Sequence, residues 1–134
     1  MVFKMEKDLS QIVIDAAMEV HQLLGGPGLM ESIYESALCH ELLLRGIKSR
    51  RQIPIPVIYK SAEVRDPLYL DILVEDKLII EVKATGKDFP FYQAQLLTYM
   101  RLMGKEKGLL INFGKPNLRE GICHLVNCPE CLTC

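Results

Sequence analysis

Residues 69–84 constrain the fold more than any other segment of the 134-residue chain, because two short apolar runs surround one polar turn there. The runs, Leu70–Val74 and Leu78–Val82, consist mostly of leucine, isoleucine and valine, and the turn between them is Glu75–Lys77. Apolar runs of this length, bounded by a polar turn, are typical of buried β-strands. The segment therefore predicts a β-hairpin in the core of the protein.

Three charged residues interrupt this hairpin, namely Asp71, Glu81 and Lys83. Charged side chains are rarely buried unless they are paired or bound to a metal. A three-residue loop would pair Asp71 with Glu81 and place Lys83 on the same face, because strand side chains alternate. We predict this odd-numbered loop, or a bulge with the same effect. Two carboxylates facing each other repel unless a cation lies between them, so the pair indicates a divalent metal site.

An aspartate followed after nine residues by Glu-Val-Lys resembles the active-site motif of the PD-(D/E)xK nuclease superfamily. Two further motifs strengthen this resemblance. Residues 28–34, GLMESIY, are similar to the signature of the GxxExxY family within the superfamily. Residues 95–99, QLLTY, resemble the QxxxY element of its RecB-like members. The motifs follow one another in the expected order, and the resemblance extends from about residue 7 to residue 126.

The resemblance implies an α/β fold with a three-layer, restriction-endonuclease-like core in which helices flank a mixed β-sheet. It also implies a nuclease that uses Mg²⁺ or Mn²⁺ to hydrolyse phosphodiester bonds of nucleic acid, with DNA favoured over RNA. The implied metal ligands are the side chains of Asp71, Glu81 and Glu31 and the carbonyl of Val82. Lys83 would orient the attacking water or stabilise the phosphorane, while Gln95 and Tyr99 would position the scissile phosphate.

Some of these residues also have ordinary structural interpretations. Glu31 and Glu35 fit two solvated acids at the start of a helix, where the helix dipole favours negative charge. The resemblance instead assigns Glu31 to the active centre and leaves Glu35 at the surface. Gln95 in a buried helix needs hydrogen-bond partners, which either the sheet backbone or the cleft would supply. Tyr34 fits a half-buried core aromatic, to which the resemblance adds contact with Glu31 or a substrate phosphate.

A second hypothesis belongs to another functional class. A PD-(D/E)xK fold without hydrolytic activity would serve as a scaffold that binds nucleic acid or a protein partner. Relatives often carry a basic residue two positions before the motif aspartate, where this chain has Tyr69. That departure weakens the case for catalysis. Metal binding at Asp71 and Glu81 distinguishes the two hypotheses, because an inactive scaffold has no need of it.

Four of the five cysteines lie near the C-terminus, at Cys123, Cys128, Cys131 and Cys134. C-x2-C spacing in an intracellular protein is typical of metal or cluster sites, so one interpretation is zinc bound by these four residues. An iron–sulfur cluster with Cys39 as fourth ligand is another, by resemblance to some RecB-like nucleases. The third, which we favour, is a frayed tail with free thiols. We expect a single nuclease-like domain over 1–126 and a cysteine-rich tail over 127–134.

Hydrophobic periodicity predicts the remaining elements. Helices are expected over 6–24, 29–45 and 89–104, and strands over 53–60, 108–113 and 121–126. Proline cannot donate to a sheet ladder, so Pro54 and Pro56 predict an edge strand, followed by a polar turn over 61–67. The third helix is apolar nearly all round and should be largely buried. The strand after it should run parallel to the strand of Glu81, because a helix connects the two.

Charge and hydropathy restrict the classes of partner. The formal net charge is -1, so no overall basic field attracts nucleic acid, although a local basic cluster lies at Arg45, Lys48, Arg50 and Arg51. No apolar stretch is long enough to span a membrane, and the N-terminus lacks the apolar block of a signal peptide. We expect a cytoplasmic protein without membrane contact. Its small size leaves open a homodimer or a larger protein partner.

Overall fold

A computed structural model describes residues 8–88 and 90–127 of the chain. The elements in chain order are α1 (Leu9–Leu23), α2 (Glu31–Leu44), β1 (Ser49–Tyr59), β2 (Ala62–Val74), β3 (Leu78–Lys83), α3 (Pro90–Met103), β4 (Lys107–Asn112), a 3-10 helix (Leu118–Gly121) and β5 (Ile122–Val126). The strands form one mixed sheet in the order β1-β2-β3-β4-β5. This arrangement confirms the predicted α/β fold with a restriction-endonuclease-like core.

Helices cover both faces of the sheet, and each face has its own apolar cluster. Val13 of α1 and Leu38 of α2 pack with Ile80 of β3 on one face. Leu96 of α3 packs with Ile79 of β3 on the other. Because neighbouring residues of a strand point to opposite faces, a strand covered on both sides is apolar at nearly every position. This explains the continuous apolar run of β3 and makes its charged residues exceptional.

The β2–β3 hairpin has the predicted odd-numbered loop. Val74 pairs with Leu78, so three residues lie between the strands. Glu75 and Asp76 adopt left-handed backbone conformations, with φ of 52° and 57°. These conformations close the loop without shifting the register of the strands.

The parallel pairing of β3 with β4, joined through α3, is confirmed, and so is the edge position of β1.

The polar turn predicted over 61–67 is wrong, since β2 begins at Ala62. The chain reverses at Lys60 and Ser61, whose φ values are 48° and 65°. β1 and β2 therefore continue well past the end of β3. Their far ends are exposed, and Ile58, Tyr59 and Val64 are among the exposed residues there.

Helix α3 is less buried than its sequence predicts. Only Leu96, Tyr99 and Met100 of this helix are buried, while Phe91 keeps 60% of its surface exposed. The prediction was wrong because, in the described ranges, α3 is the one helix on its face of the sheet, so its outer side meets solvent. None of the helices in the described ranges is long and apolar enough to cross a membrane.

Three cysteines of the predicted metal tail, Cys128, Cys131 and Cys134, lie outside the described residues. Cys123 lies in β5 and is buried in the cluster beside α3. Cys39 lies in α2, where it packs partly buried against the other cluster. These surroundings fit a residue of the hydrophobic core better than a cluster ligand.

Candidate active site

The hairpin carboxylates lie where β2 and β3 separate. The paired register ends at Ile72 and Ile80, one position before Asp71 and Glu81 would pair. Beyond that point the Asp71 side chain takes the place of a backbone partner. Its Oδ2 accepts a hydrogen bond from the Val82 amide at 2.8 Å. The amide and carbonyl of one strand residue point to the same side. The Val82 carbonyl therefore also faces the gap between the two strands.

Glu81 is a buried acid with an incomplete set of partners. Its residue is only 2% exposed, and Oε2 has no hydrogen-bond partner among the described residues. Burial, and after it the contact with the Asp71 carboxylate, raises the pKa of Glu81 to about 10. Lys83 opposes this rise only in part. A carboxyl group in these surroundings is neutral at pH 7 unless a cation approaches it.

Lys83 lies on the same face of β3 as Glu81, as the alternation of strand side chains predicts. Its Nζ lies 4.7 Å from the centre of the Tyr92 ring in α3, in a cation–π contact. The Lys83 charge lowers the pKa values of Glu81 and Glu31 against the effect of burial. The ammonium group is therefore close enough to act on both carboxylates. Sequence reasoning did not identify Tyr92, because an aromatic at the start of a helix gives no sign of its partner.

Glu31 begins α2 and lies at the rim of this site, with much of its side chain exposed. Partial burial raises its pKa, Lys83 opposes that rise, and the charges of Asp71 and Glu35 add to it. Among the residues that the structure describes, no three His, Cys, Asp or Glu side chains are grouped closely enough to hold one metal ion. Glu31 is thus a neighbour of the Asp71–Glu81 pair, and its role as a ligand stays a prediction.

Gln95 and Tyr99 share one face of α3, and Gln95 Nε2 donates to the Tyr99 hydroxyl at 2.9 Å. Burial raises the pKa of Tyr99, and the Glu81 charge raises it further, which places the phenol near that carboxylate. Gln95 Oε1 is buried without a hydrogen-bond partner among the described residues. The alternative that Gln95 serves the sheet backbone receives no support from its contacts. The pair lies on the α3 side of the site, and Gln95 Oε1 could still accept a hydrogen bond there.

Glu35 is not at the surface, so that prediction was wrong. Glu35 is 4% exposed, and its Oε1 accepts hydrogen bonds from Arg51 Nε at 3.2 Å and Gln52 Nε2 at 3.0 Å. Gln52 Nε2 also lies 3.3 Å from Asp71 Oδ1. Sequence reasoning missed Gln52 because its two partners lie on other elements of the fold. The only available signal was a polar residue next to an arginine at the start of an edge strand.

The predicted basic cluster is largely neutralised by acids. Arg45 pairs with Glu19 at 2.7 Å and with Glu41 at 2.8 Å. Arg51 pairs with buried Glu35, and Arg50 lies 3.3 Å from an exposed aspartate of the hairpin loop. The three arginines of the cluster therefore form local ion pairs with acids.

Tyr34 is a core residue that shapes the turn before α2. It is fully buried and stacks on Phe113 with ring centres 4.7 Å apart. Its hydroxyl donates to the Gly26 carbonyl at 2.7 Å and accepts from the Leu29 amide at 3.1 Å. The Tyr34 hydroxyl thus donates its one hydrogen within the turn and does not point it at a substrate. It instead fixes the glycine-rich turn from which Glu31 starts the helix.

Asn112, at the end of β4, holds the loop that follows Lys83. Its Oδ1 accepts hydrogen bonds from the amides of Thr85 at 3.1 Å and Gly114 at 2.9 Å. Its Nδ2 lies 3.4 Å from Asp88 Oδ1. A Cβ at Gly114 would come within 2.3 Å of the Thr85 backbone, so the two segments need glycine to approach this closely. The loop leading from Lys83 to α3 is thereby tied to the neighbouring strand.

The donor chemistry of the site suits a hard divalent cation. Asp71 and Glu81 offer carboxylate oxygens, and Val82 offers a backbone carbonyl. One Glu81 oxygen is buried without a hydrogen-bond partner in the described part of the chain. Mg²⁺ and Mn²⁺ prefer such oxygen ligands and retain several bound waters. A cation would also remove the repulsion between the two carboxylates. The residues present therefore fit the metal that this chemistry implies.

A mixed sheet between helices, with two opposed carboxylates and a lysine where a hairpin opens, is the arrangement of a nuclease-like domain. The model of one such family, the PD-(D/E)XK nuclease superfamily, matches residues 7–125, and the chain belongs to that superfamily. No curated protein and no solved structure matches the chain.

Proposed function

We propose that this protein is a Mg²⁺- or Mn²⁺-dependent nuclease that hydrolyses phosphodiester bonds at the Asp71–Glu81–Lys83 site. The observation that carries the proposal is the buried Glu81 carboxyl, which faces Asp71 and leaves one oxygen without a partner in the described residues. A buried acid with one unsatisfied oxygen is costly to the stability of a protein of this size. A divalent cation held by Asp71 and Glu81 would remove that cost.

Within this mechanism Asp71, Glu81 and the Val82 carbonyl would hold the cation, and Glu31 at the rim of the site would be a further ligand. When bound, the cation supplies a water of lowered pKa and positive charge beside the phosphate. Lys83 stabilises the negative charge that develops on the phosphate oxygens, because its ammonium group is held close to the carboxylates.

Gln95 and Tyr99 position the scissile phosphate from helix α3. The Tyr99 hydroxyl accepts from Gln95, so its own hydrogen is available to a phosphate oxygen. The motifs at 28–34 and 95–99 support placing the chain in the GxxExxY family with RecB-like features. Nucleic acid is the substrate class, and DNA is the first form to test. The inactive-scaffold alternative is not favoured, because the acids and the lysine of the motif are all present and adjacent.

Calorimetric titration of Mn²⁺ into metal-stripped protein tests the metal site directly. Asp71→Asn should abolish binding, because it removes the charge while keeping an acceptor for the Val82 amide. Asp66→Asn is the matched control, since Asp66 is an exposed acid in the same strand. Wild-type protein that takes up no Mn²⁺, with or without a DNA oligonucleotide, would contradict the proposal.

Cleavage of single- and double-stranded DNA in Mg²⁺ tests the reaction itself. Lys83→Met should lower cleavage by about 100-fold or more, as removal of a charge-stabilising group commonly does, and should leave Mn²⁺ binding intact. Lys87→Met, in the exposed loop that follows, should cleave as the wild type does. Equal cleavage by Lys83→Met and wild type would overturn the role of the lysine.

A further inference from the structure

We infer that Gln52 is a positioning residue, which fixes the Asp71 carboxylate in the orientation that metal binding requires. The inference rests on the proposed function, because it concerns the same carboxylate pair. It adds to that site a residue outside the aspartate and Glu-Val-Lys motif, carried on the edge strand β1.

The Gln52 side chain joins two acids from different elements. Its Nε2 lies 3.0 Å from Glu35 Oε1 in α2 and 3.3 Å from Asp71 Oδ1 in β2. An ionised carboxylate only accepts hydrogen bonds, whereas a glutamine NH₂ group has two hydrogens to donate. The two acids therefore determine which way the amide faces and use both of its hydrogens.

With this contact, both oxygens of Asp71 have a fixed donor. Oδ2 accepts from the Val82 amide at 2.8 Å, and Oδ1 faces the Gln52 amide at 3.3 Å. Two donors on opposite oxygens fix the plane of the carboxylate, and each oxygen keeps a lone pair for a cation. Hydrogen bonds of this kind orient a metal ligand before the metal arrives.

Glu35 provides a rigid support for Gln52. Its side chain is 6% exposed, and the oxygen that accepts from Gln52 also accepts from Arg51 Nε at 3.2 Å. A buried carboxylate keeps its place only when it is paired and hydrogen-bonded. The chain of contacts therefore runs from Arg51 through Glu35 and Gln52 to Asp71, and it links α2 to the end of the hairpin.

The backbone at Gln52 is strained in a way that serves this contact. Gln52 has a φ of 49°, a left-handed conformation that a residue with a side chain rarely adopts. Arg51 pairs with Ile72 and Ile53 pairs with Leu70, yet Gln52 and Asp71 between them are unpaired. Both strands are thus irregular at the same level. Strain of this kind persists where the surrounding structure holds it, which commonly happens at functional sites.

Because the Gln52 backbone is strained, a substitution there can weaken metal binding without lowering the stability of the fold. Gln52→Gly relieves the left-handed backbone but removes the donor to Asp71. We expect a melting temperature that is unchanged or higher, because the relief offsets the lost hydrogen bonds. The Mn²⁺ dissociation constant of metal-stripped protein should rise by about tenfold, the lower end of the effect of losing a hydrogen bond to a metal ligand.

Ser61→Gly is the matched control, since Ser61 has a φ of 65° in the β1–β2 turn. It should raise the melting temperature and leave Mn²⁺ affinity unchanged. Equal Mn²⁺ affinity in Gln52→Gly and wild type would overturn the inference and leave the proposed function standing. A fall in both melting temperature and affinity would also overturn it, because Gln52 would then act by holding the fold. Wild-type protein that binds no Mn²⁺ overturns the proposed function itself.

Discussion

The carboxylates of Asp71 and Glu81 meet where the β2–β3 hairpin opens, and this contact adds to the burial that raises the pKa of Glu81 to about 10. The ordinary value for this group is 4.5. The raised pKa favours the protonated form of Glu81 near neutral pH, so a cation bound by this carboxyl would have to displace that proton. Stability and metal binding are consequently linked to pH through the same residue.

Stability of the metal-free protein should fall as pH rises. The folded state binds the Glu81 proton more tightly than the unfolded chain, whose glutamate titrates near 4.5. The stabilisation from this proton is fully present below about pH 4.5, declines as pH rises above it, and is lost above about pH 10. Glu81→Gln mimics the protonated acid and should be more stable than wild type near pH 8, on the order of 1–3 kcal/mol.

Urea denaturation between pH 4 and pH 9 measures this difference. Glu63→Gln is the control, because Glu63 is an exposed acid in β2 and should not alter the pH dependence. The gap between Glu81→Gln and wild type should widen with increasing pH. Stability curves that run parallel to each other would show that Glu81 has an ordinary pKa.

Mn²⁺ affinity should increase with pH, since the cation displaces the Glu81 proton. Binding of a metal to a protonated ligand releases that proton, so affinity rises by up to about tenfold per pH unit below the ligand pKa. Calorimetry in buffers of different ionisation enthalpy should show about one proton released per ion near pH 7. Affinity that does not change between pH 6 and pH 8 would contradict the assignment of Glu81 as a ligand.

Removing the ring of Tyr92 should slow cleavage without weakening Mn²⁺ binding. The ring lies 4.7 Å from Lys83 Nζ and helps to hold the ammonium group in place. A cation–π contact at a partly exposed site is worth about 0.5–1 kcal/mol, which corresponds to about two- to fivefold in rate. Tyr92→Leu should show that loss in kcat, and Tyr92→Phe should retain most of the wild-type rate. Equal losses in both variants would assign the effect to the hydroxyl instead.

Tyr34→Phe should destabilise the fold without changing the metal site. The substitution removes the hydrogen bonds to the Gly26 carbonyl and the Leu29 amide but keeps the ring stacked on Phe113. The expected loss is about 1–2 kcal/mol in the free energy of unfolding, as for other partly buried hydrogen bonds. Tyr59→Phe, at an exposed position, provides the control. A Tyr34→Phe protein as stable as wild type would mean that water forms hydrogen bonds with the Gly26 carbonyl and the Leu29 amide instead.

The parts of this structure that sequence predicts are those governed by local periodicity. The loop between Val74 and Leu78 follows from burial, because a register shifted by one residue would move every side chain of the strand to the other face. The opposition of Asp71 and Glu81 follows from that register. The parallel pairing of β3 and β4 follows from the helix that connects them.

The parts that sequence does not predict depend on contacts between distant segments. The burial of Glu35 requires Arg51 and Gln52 of β1, whose position against α2 is decided only when the sheet assembles. The exposure of Phe91 follows from the lack of a layer outside α3 in the described part of the chain, which no local pattern encodes. The role of Gln52 could not be predicted from the sequence either, because tertiary structure determines both its partners and its backbone conformation.

Asn112→Ala should destabilise the loop that carries the chain from Lys83 to α3. It leaves the amides of Thr85 and Gly114 without their acceptor at a position where the asparagine is 2% exposed, at a cost of about 1–3 kcal/mol. Asn117→Ala should cost less, because Asn117 is exposed and accepts from a single amide.

Asn112→Asp separates the two hydrogen-bonding roles of this side chain. It keeps an acceptor for both amides but places a carboxylate where Nδ2 now lies 3.4 Å from Asp88 Oδ1. If the acceptor role dominates, thermal unfolding should place Asn112→Asp between wild type and Asn112→Ala. Cleavage should then follow the same order, since the loop positions the segment that begins at Lys83. An aspartate variant less stable than the alanine variant would show that repulsion from Asp88 outweighs the retained acceptors, and that the amide is needed for its donor as well.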